Sequence, residues 1–302
     1  MAKHHYLNTI KLNKMNDKGI NVLSLFDGMS CGQIALDKLG VKVDNYFASE
    51  IDPSAIEVTN NNYPRTKQVG DVLSLSGQDL PKIDLLFGGS PCQTFSSAGN
   101  GTGFDGESGL FFEFVRVLRE VNPTYFMLEN VVMRREWMNV ISDILGVQPI
   151  KIKSNLLGAQ NRVRLYWTNI PNVVQPNDLG IYIEDIVEDE CNVNDDVWLK
   201  AKNTYLLYRK MEFKGCPKVS AIDVYNKRYR VDRKTPTITL PHHNSLRLMQ
   251  NGRIRKFTAN ELERLQNVPV DYTKGGTLNS RHALLGNGWD VSVIEHIFKN
   301  IR

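Results

Sequence analysis

Cysteine is scarce in this sequence, and its four members are widely spaced. Cys31, Cys92, Cys191 and Cys216 form neither a CxxC pair nor the Cys/His spacing of a zinc site. We therefore expect no disulfide framework and no structural metal ion. Any chemistry at sulfur would then involve a single thiol.

Long hydrophobic runs are also missing. The longest apolar stretches, such as IDLLFGG and YFMLEN, are far shorter than the roughly 18 residues of a membrane span, and the N-terminus lacks the apolar core of a secretory signal. We expect a cytoplasmic protein without a membrane segment. The polar, aperiodic residues 1–19 are expected to form a loose N-terminal arm.

A strong net charge is absent as well, since the total is only +4, but the charge is unevenly distributed. Residues 176–199 contain eight acidic residues and no Lys or Arg, whereas residues 200–234 contain eleven Lys/Arg and three acids. Tyrosines 205, 208, 225 and 229 interleave with this basic stretch. It is either a solvated face or a surface that tracks phosphates and stacks on bases.

Short apolar runs alternate with amphipathic stretches from residue 20 onward. NVLSLF, DNYFAS, IDLLFGGS, TYFMLEN and VRLYWTNI are typical of strands, and GQIALDKLG, PSAIEVTNNN, GLFFEFVRVLRE and EWMNVISDILG are typical of helices. This alternation predicts an α/β fold with a Rossmann-like, doubly wound, mostly parallel sheet. We expect residues 20–170 to form the main domain and a second, smaller unit to begin after Pro171.

The segment FDGMSCG, residues 26–32, lies between a predicted strand and a predicted helix. Gly28 and Gly32 allow a tight turn, but the G-x-G-x-x-G spacing of a dinucleotide site is missing. A nucleotide-like ligand without a phosphate grip fits better. Glu50 and Asp71 follow the next two strands, where carboxylates can accept bonds from a ribose or an adenine amine; each acid alone is equally typical of a helix cap.

Three further segments carry reactive groups. Cys92 follows a proline at the end of IDLLF and precedes a long Gly/Ser/Asn-rich loop, so it is either a packing cysteine or a nucleophile under a lid. Glu129 ends another strand and is either a helix cap or a proton donor. Arg162 and Arg164 project to one face of a strand, as an anion site or a structural ion pair would require.

In this order the segments resemble the motifs of the cytosine-5 DNA methyltransferases. FDGMSCG, SEID and GDV are similar to the first three motifs, GGSPCQ to the nucleophile motif, LENV to the acid motif and QNRVR to the paired-arginine motif. RKFTANELERLQNVP and LGNGWDVSVIEHI match the two C-terminal motifs. The resemblance is to bacterial and phage enzymes, and LSLFDG and GLFFEF also resemble the eukaryotic de novo enzymes.

The resemblance implies a class I methyltransferase fold in which residues 20–170 and 281–302 form the catalytic domain. Residues 171–280 would form a smaller domain that recognises the target. It implies methyl transfer from S-adenosylmethionine to carbon 5 of cytosine in duplex DNA, with S-adenosylhomocysteine as product. Cys92 would attack carbon 6 of a flipped-out base, Glu129 would act at N3, Arg164 would contact the pyrimidine oxygen and Arg162 would steady the site.

The same resemblance assigns binding residues. The cofactor contacts would be Phe26, Asp27, Gly28, Gly32, Glu50, Ile51, Asp71, Val72, Pro91, Leu110 and Asn287. The DNA contacts would be Gln93, Ser96, Ser97, Arg228, Arg230 and Arg233. Duplex DNA is the expected partner, with a cognate restriction enzyme as a second one in a restriction-modification setting, inside a bacterial or phage-infected cell.

Two departures and three alternatives accompany this interpretation. The loop Gln93–Gly109 contains no Lys or Arg, with Glu107 where many members carry arginine, and Asp290 is unusual in the last motif. The alternatives are a silent DNA-binding relative, the same chemistry on transfer RNA, and a nicotinamide-dependent oxidoreductase. The intact reactive residues argue against the first, the PCQ tripeptide against the second, and the missing glycine spacing against the third.

Overall fold

A computed structural model describes residues 18–91, 109–200, 217–224, 228–240 and 246–301. The strands of its larger sheet are β1 (Ile20–Leu25), β2 (Val43–Ser49), β3 (Lys67–Gln68), β4 (Leu85–Gly88), β5 (Tyr125–Val131), β6 (Ile150–Lys153) and β7 (Val163–Thr168). Their order is β3-β2-β1-β4-β5-β7-β6; β1 to β5 are mutually parallel, and β7 runs antiparallel to β5 and β6. The predicted mostly parallel α/β sheet is confirmed.

Helices follow the parallel strands and close the C-terminus. They are α1 (Cys31–Lys38), α2 (Pro53–Asn62), α3 (Leu110–Val121), α4 (Arg135–Leu145), α5 (Ala259–Leu265), α6 (Leu278–Asn287) and α7 (Val291–Phe298). Local signals fix their ends: the Asp52 side chain accepts a bond from the Ser54 amide at the start of α2 (2.9 Å), and Gly146 ends α4 at φ 70°.

The larger sheet is covered by apolar packing on both faces, which is why its central strands are almost continuously hydrophobic. On one face the Phe87 ring lies 5.2 Å from that of Phe298, between centroids, which brings the last helix onto strand β4. On the other face Phe114 and Trp167 are fully buried. The C-terminal end of the chain therefore packs against the same strands as its N-terminal half.

The second sheet is antiparallel. Its strands are β8 (Val219–Asp223), β9 (Arg228–Tyr229), β10 (Leu246–Gln250) and β11 (Arg253–Arg255), in the order β11-β10-β8-β9. These strands lie within residues 171–280, where the smaller domain is predicted. The exact domain boundaries stay a prediction, and residues 1–17 of the predicted arm lie outside the described residues.

Candidate active site and cofactor site

The turn after β1 has an unusual backbone. Phe26, Gly28 and Ser30 adopt left-handed conformations, with φ of 56°, 58° and 60°. Left-handed backbone is uncommon for residues other than glycine, so this turn is held by its surroundings. It places the Gly28 amide at the carboxyl edge of the parallel strands, where ligands of such sheets bind.

Glu50 holds that turn against the end of β2. Its carboxylate accepts bonds from the backbone amides of Gly28 (2.7 Å), Ile51 (2.8 Å) and Asp52 (2.9 Å). A carboxylate has about four acceptor sites, so these three bonds leave capacity for one more donor. Ile51 is 69% exposed beside it, an apolar side chain open to contact.

Asp71 occupies the equivalent position after β3. One oxygen accepts the Leu73 amide (3.0 Å) and caps the short turn Val72–Ser74, in which Val72 is buried. Leu73 itself is 62% exposed. Asp71 is thus a cap, as the alternative interpretation required, and capping leaves its second oxygen without a bond to any described residue.

Asp27 and Gly32 contact buried residues of the protein interior. The Asp27 carboxyl accepts bonds from the Tyr46 hydroxyl (2.7 Å) and from Ser30 Oγ, and burial raises the pKa of Asp27 to about 6. A Cβ atom on Gly32 would stand 2.4 Å from the Phe87 ring. Gly32 therefore permits close packing of α1 on β4, and ligand contact by Asp27 and Gly32 stays a prediction.

The remaining predicted cofactor residues lie at element ends. Pro91 follows β4, the half-buried Leu110 begins α3, and the exposed Asn287 ends α6. Cys92, Gln93, Ser96 and Ser97 lie outside the described residues. Their assigned roles stay predictions.

Glu129 lies on β5 with both carboxylate oxygens engaged. Oε1 is 2.9 Å from Arg164 Nε, and Oε2 accepts a bond from Trp289 Nε1 at 3.1 Å. A Cβ atom on Gly89 would stand 2.8 Å from Glu129 Oε2 and 3.0 Å from Trp289 Nε1, so a side chain at position 89 would displace this pair. Two donors from distant parts of the chain thus orient one buried carboxylate.

Trp289 is a site residue that the sequence analysis did not single out. Its ring lies 5.9 Å from that of Phe87, and it is separated from Glu129 by 160 positions. The only sequence signal was a large aromatic residue within LGNGWDVSV, among small and polar neighbours. Asp290, noted as unusual, caps α7 by accepting the Ser292 amide (3.1 Å).

The two arginines of QNRVR have different partners. Arg164 pairs with Glu129, whereas Arg162 donates to the backbone carbonyls of Ile238 (3.3 Å), Gly286 (3.3 Å) and Gly288 (3.0 Å). Burial, followed by the like charge of Arg164, lowers the pKa of Arg162 to about 10, so it remains charged at neutral pH. Arg162 therefore ties β7 to two distant segments of the chain.

The predicted DNA-contacting arginines of the second region lie near acids. The Arg230 guanidinium bonds to Asp232 (Nε to Oδ1, 2.8 Å), and that of Arg233 bonds to Glu184 (Nε to Oε1, 2.9 Å) and stacks on the Tyr182 ring. Arg228, on β9, is exposed. Their contact with DNA stays a prediction.

Neither metal nor membrane features appear in the part of the chain that the structure describes. Its His, Cys, Asp and Glu residues form no group that could hold a metal ion. None of its helices is long and apolar enough to cross a membrane.

Known proteins resemble this chain in sequence and in fold. An orphan methyltransferase of Bacillus phage rho11s is 33% identical over 227 residues, covering 70% of this chain and 43% of that protein. A Type II methyltransferase of Lactococcus lactis subsp. cremoris is 28% identical over 306 residues, covering 91% of this chain and 76% of that protein. The chain thus spans less than half of the phage relative's length.

A solved structure of a DNMT2 variant from Spodoptera frugiperda superimposes with a TM-score of 0.70 at 18% identity, covering 93% of this chain and 99% of that one. This likeness concerns the fold. The sequence model of the C-5 cytosine-specific DNA methylase family matches residues 20–139 and 159–302, which is most of the sequence. The chain therefore belongs to the family of C-5 cytosine-specific DNA methylases.

Proposed function

We propose that this protein methylates carbon 5 of cytosine in duplex DNA with S-adenosylmethionine as methyl donor. The observation that carries the proposal is the family match over residues 20–139 and 159–302. The oriented carboxylate of Glu129, close to the strand end that precedes Cys92, supports it, because this chemistry needs an acid beside a nucleophile.

The described residues fit the proposed cofactor. The exposed side chains of Ile51 and Leu73 offer apolar surface to a flat ring, and the Glu50 carboxylate keeps an acceptor site for a ribose hydroxyl. At Gly28 no atom of a described residue outside its own turn lies within 4 Å of a Cβ position, so a ligand can approach the backbone. When bound, S-adenosylmethionine supplies the electrophilic methyl group.

In the proposed reaction the Cys92 thiolate forms a bond to carbon 6 of cytosine, and electrons move onto the ring. Glu129 donates a proton or a hydrogen bond at N3 as this charge develops. Arg164 contacts the pyrimidine oxygen with guanidinium donors that neither Glu129 nor the Val163 carbonyl uses in the described structure. Carbon 5 gains the methyl group, loses its proton to a base, and the sulfur–carbon bond then breaks.

Carbon 6 is stacked inside a duplex, so the target base must leave the helix. Unstacking costs a few kcal/mol, which contacts to the flipped base and to the backbone have to offset. We propose that the loop Gln93–Gly109 closes behind the base. The bonds that Arg164 and Trp289 make to Glu129 keep the acid oriented while this happens.

The test is transfer of labelled methyl from S-adenosylmethionine to unmethylated duplex DNA, with the modified base identified after digestion. We expect 5-methylcytosine in DNA and none in transfer RNA offered in parallel. Cys92→Ser should abolish turnover and leave cofactor binding nearly intact. Cys191→Ser is the matched control, because Cys191 is an exposed free cysteine. Undiminished methylation by Cys92→Ser would refute the nucleophile assignment.

A further inference from the structure

A cavity of about 150 Å³ lies beside the second sheet, away from the Glu129 carboxylate. It is bordered by β10, by the segment after β11 and by the start of α6. Its lining residues are Leu246, Arg247, Lys256, Phe257, Leu278, Asn279 and His282. No acidic side chain is among them.

The two cations of this cavity have no carboxylate partner in the part of the chain that the structure describes. Arg247 is half-buried, and its one hydrogen bond to a described residue is from NH1 to the Leu246 carbonyl (2.7 Å). Burial lowers the pKa of Arg247, and no acid among the described residues opposes that effect. Lys256 is exposed at the rim. A guanidinium buried this far without a counter-charge favours an anionic ligand.

Other donors surround the same space. Asn279 is the second residue of α6, and the first turn of that helix contains no acid, so the helix start adds a positive end. His282 lies one turn further, and burial lowers its pKa. Arg247 and Lys256 are the charged residues of the cavity lining.

The cavity connects to the active site through the backbone. Its α6 wall continues to Gly286, whose carbonyl accepts a bond from Arg162 (3.3 Å). A Cβ atom on Gly286 would stand 2.9 Å from the Thr239 carbonyl, so the chain that precedes β10 rests directly on the same helix. A ligand in the cavity would therefore contact elements that Arg162 joins to β7.

We propose that this cavity binds a phosphate group of the DNA backbone. A phosphate supplies several acceptor oxygens, which match the donors of Arg247, Lys256 and Asn279. This inference rests on the proposed function, because it takes the DNA substrate as the source of the phosphate. Arg247 and Lys256 then position the duplex without reading its sequence.

The experiment compares the salt dependence of duplex binding in the wild type and in the variant Arg247→Gln/Lys256→Gln. Neutralised phosphates set the slope of log K against log salt at about −0.9 each. We expect the magnitude of the slope to fall by about 0.9 for each phosphate that the variant no longer neutralises. The control Lys82→Gln/Lys151→Gln removes the same charge from exposed positions and should leave the slope unchanged. Lys256→Gln alone, at an exposed position, guards against misfolding.

A second readout requires neither DNA nor activity. Inorganic phosphate should shift the imidazole resonances of His282 in the wild type, and not in the double variant. An unchanged slope would overturn the proposal, and a phosphate shift with an unchanged slope would mean that the site takes free anions only. Wild-type protein that fails to bind duplex would also overturn it. A reduced slope without methyl transfer would instead refute the proposed function and leave the phosphate site standing.

Discussion

The two sheets of this protein are stabilised by different kinds of buried side chain. The larger sheet packs apolar residues such as Phe87, Phe114 and Trp167 beneath its helices. In the part of the chain that the structure describes, the smaller sheet has a separate apolar cluster of three buried residues, and beside it the pair Arg255–Glu261 is buried with 0% exposure of both side chains. Hydrophobic alternation therefore specifies the first region, whereas buried charges help to specify the second.

The largest effect expected from this comparison is on stability. Glu261→Gln leaves the Arg255 guanidinium buried without its counter-ion, and we expect a loss of about 3–5 kcal/mol in the free energy of unfolding. Glu113→Gln, which breaks a partly exposed pair with Arg116, should cost about 0–1 kcal/mol. Chemical denaturation measures both. A loss below about 1 kcal/mol for Glu261→Gln would remove the distinction between the two regions.

The second prediction concerns a buried charge in the larger region. Burial raises the pKa of Asp290 to about 6 from its ordinary 3.8, so ionised Asp290 opposes folding above pH 6 and not below about pH 4. Asp290→Asn should therefore stabilise the protein by about 3 kcal/mol at pH 7.5, because each pKa unit corresponds to about 1.36 kcal/mol. The amide oxygen of asparagine can still accept the bonds from Asn267 and the Ser292 amide.

Denaturation at several pH values tests this prediction. The gain should shrink steadily as the pH falls from 6 towards 4, because the native wild type binds its proton first in that window. A gain that does not change with pH would show that ionisation of Asp290 is not its cause.

A smaller effect is expected at the candidate active site. Trp289→Phe keeps a ring against Phe87 and removes the bond to Glu129 Oε2, so the acid keeps only one of the two donors that orient it. We expect the lost hydrogen bond to raise the activation free energy by about 1.4 kcal/mol, which corresponds to a roughly tenfold lower kcat. Trp137→Phe, on α4, is the control. Equal single-turnover rate constants for wild type and Trp289→Phe would contradict the role of Trp289 in orienting Glu129.

The smallest effect is expected from the arginines that the charge pattern singled out. Arg230 and Arg233 already bond to Asp232 and Glu184, so we expect Arg230→Gln/Arg233→Gln to lower the salt slope of DNA binding by less than about 0.9, the value of one neutralised phosphate. Its comparison with Arg247→Gln/Lys256→Gln is direct, since both variants remove two charges. A larger fall in slope for Arg230→Gln/Arg233→Gln than for Arg247→Gln/Lys256→Gln would instead favour the basic stretch 200–234 as the main phosphate contact.

The same difference explains how far the sequence alone could lead. Alternating apolar runs correctly predicted the strands before FDG and SEID, because a strand buried on both faces is visible in its own residues. A shared site for Glu129 and Arg164 was suggested by motifs. The bond from Trp289 was not, because it joins residues 160 positions apart and depends on the space left at Gly89.

In the second region the charge pattern carries less information. A count of Lys and Arg between 200 and 234 cannot show which cations have acids beside them in space. Lys234, within that stretch, is buried and donates to the backbone carbonyls of Asn155 (2.8 Å) and Gly158 (3.0 Å). Arg247, outside it, lacks a described carboxylate partner. Proximity in the fold decides which cations can meet a phosphate.

Arg162 also affects how this protein can tolerate mutation. Its guanidinium binds main-chain carbonyls at positions 238, 286 and 288, and every amino acid supplies a carbonyl. A substitution of Ile238 that preserves the backbone therefore keeps the bond, whereas any replacement of Arg162 loses all of them at once. The junction between β7, the segment before β10 and the C-terminal helices thus depends on the side chain of Arg162, whereas the buried Ile238 contributes to this contact through its main chain alone.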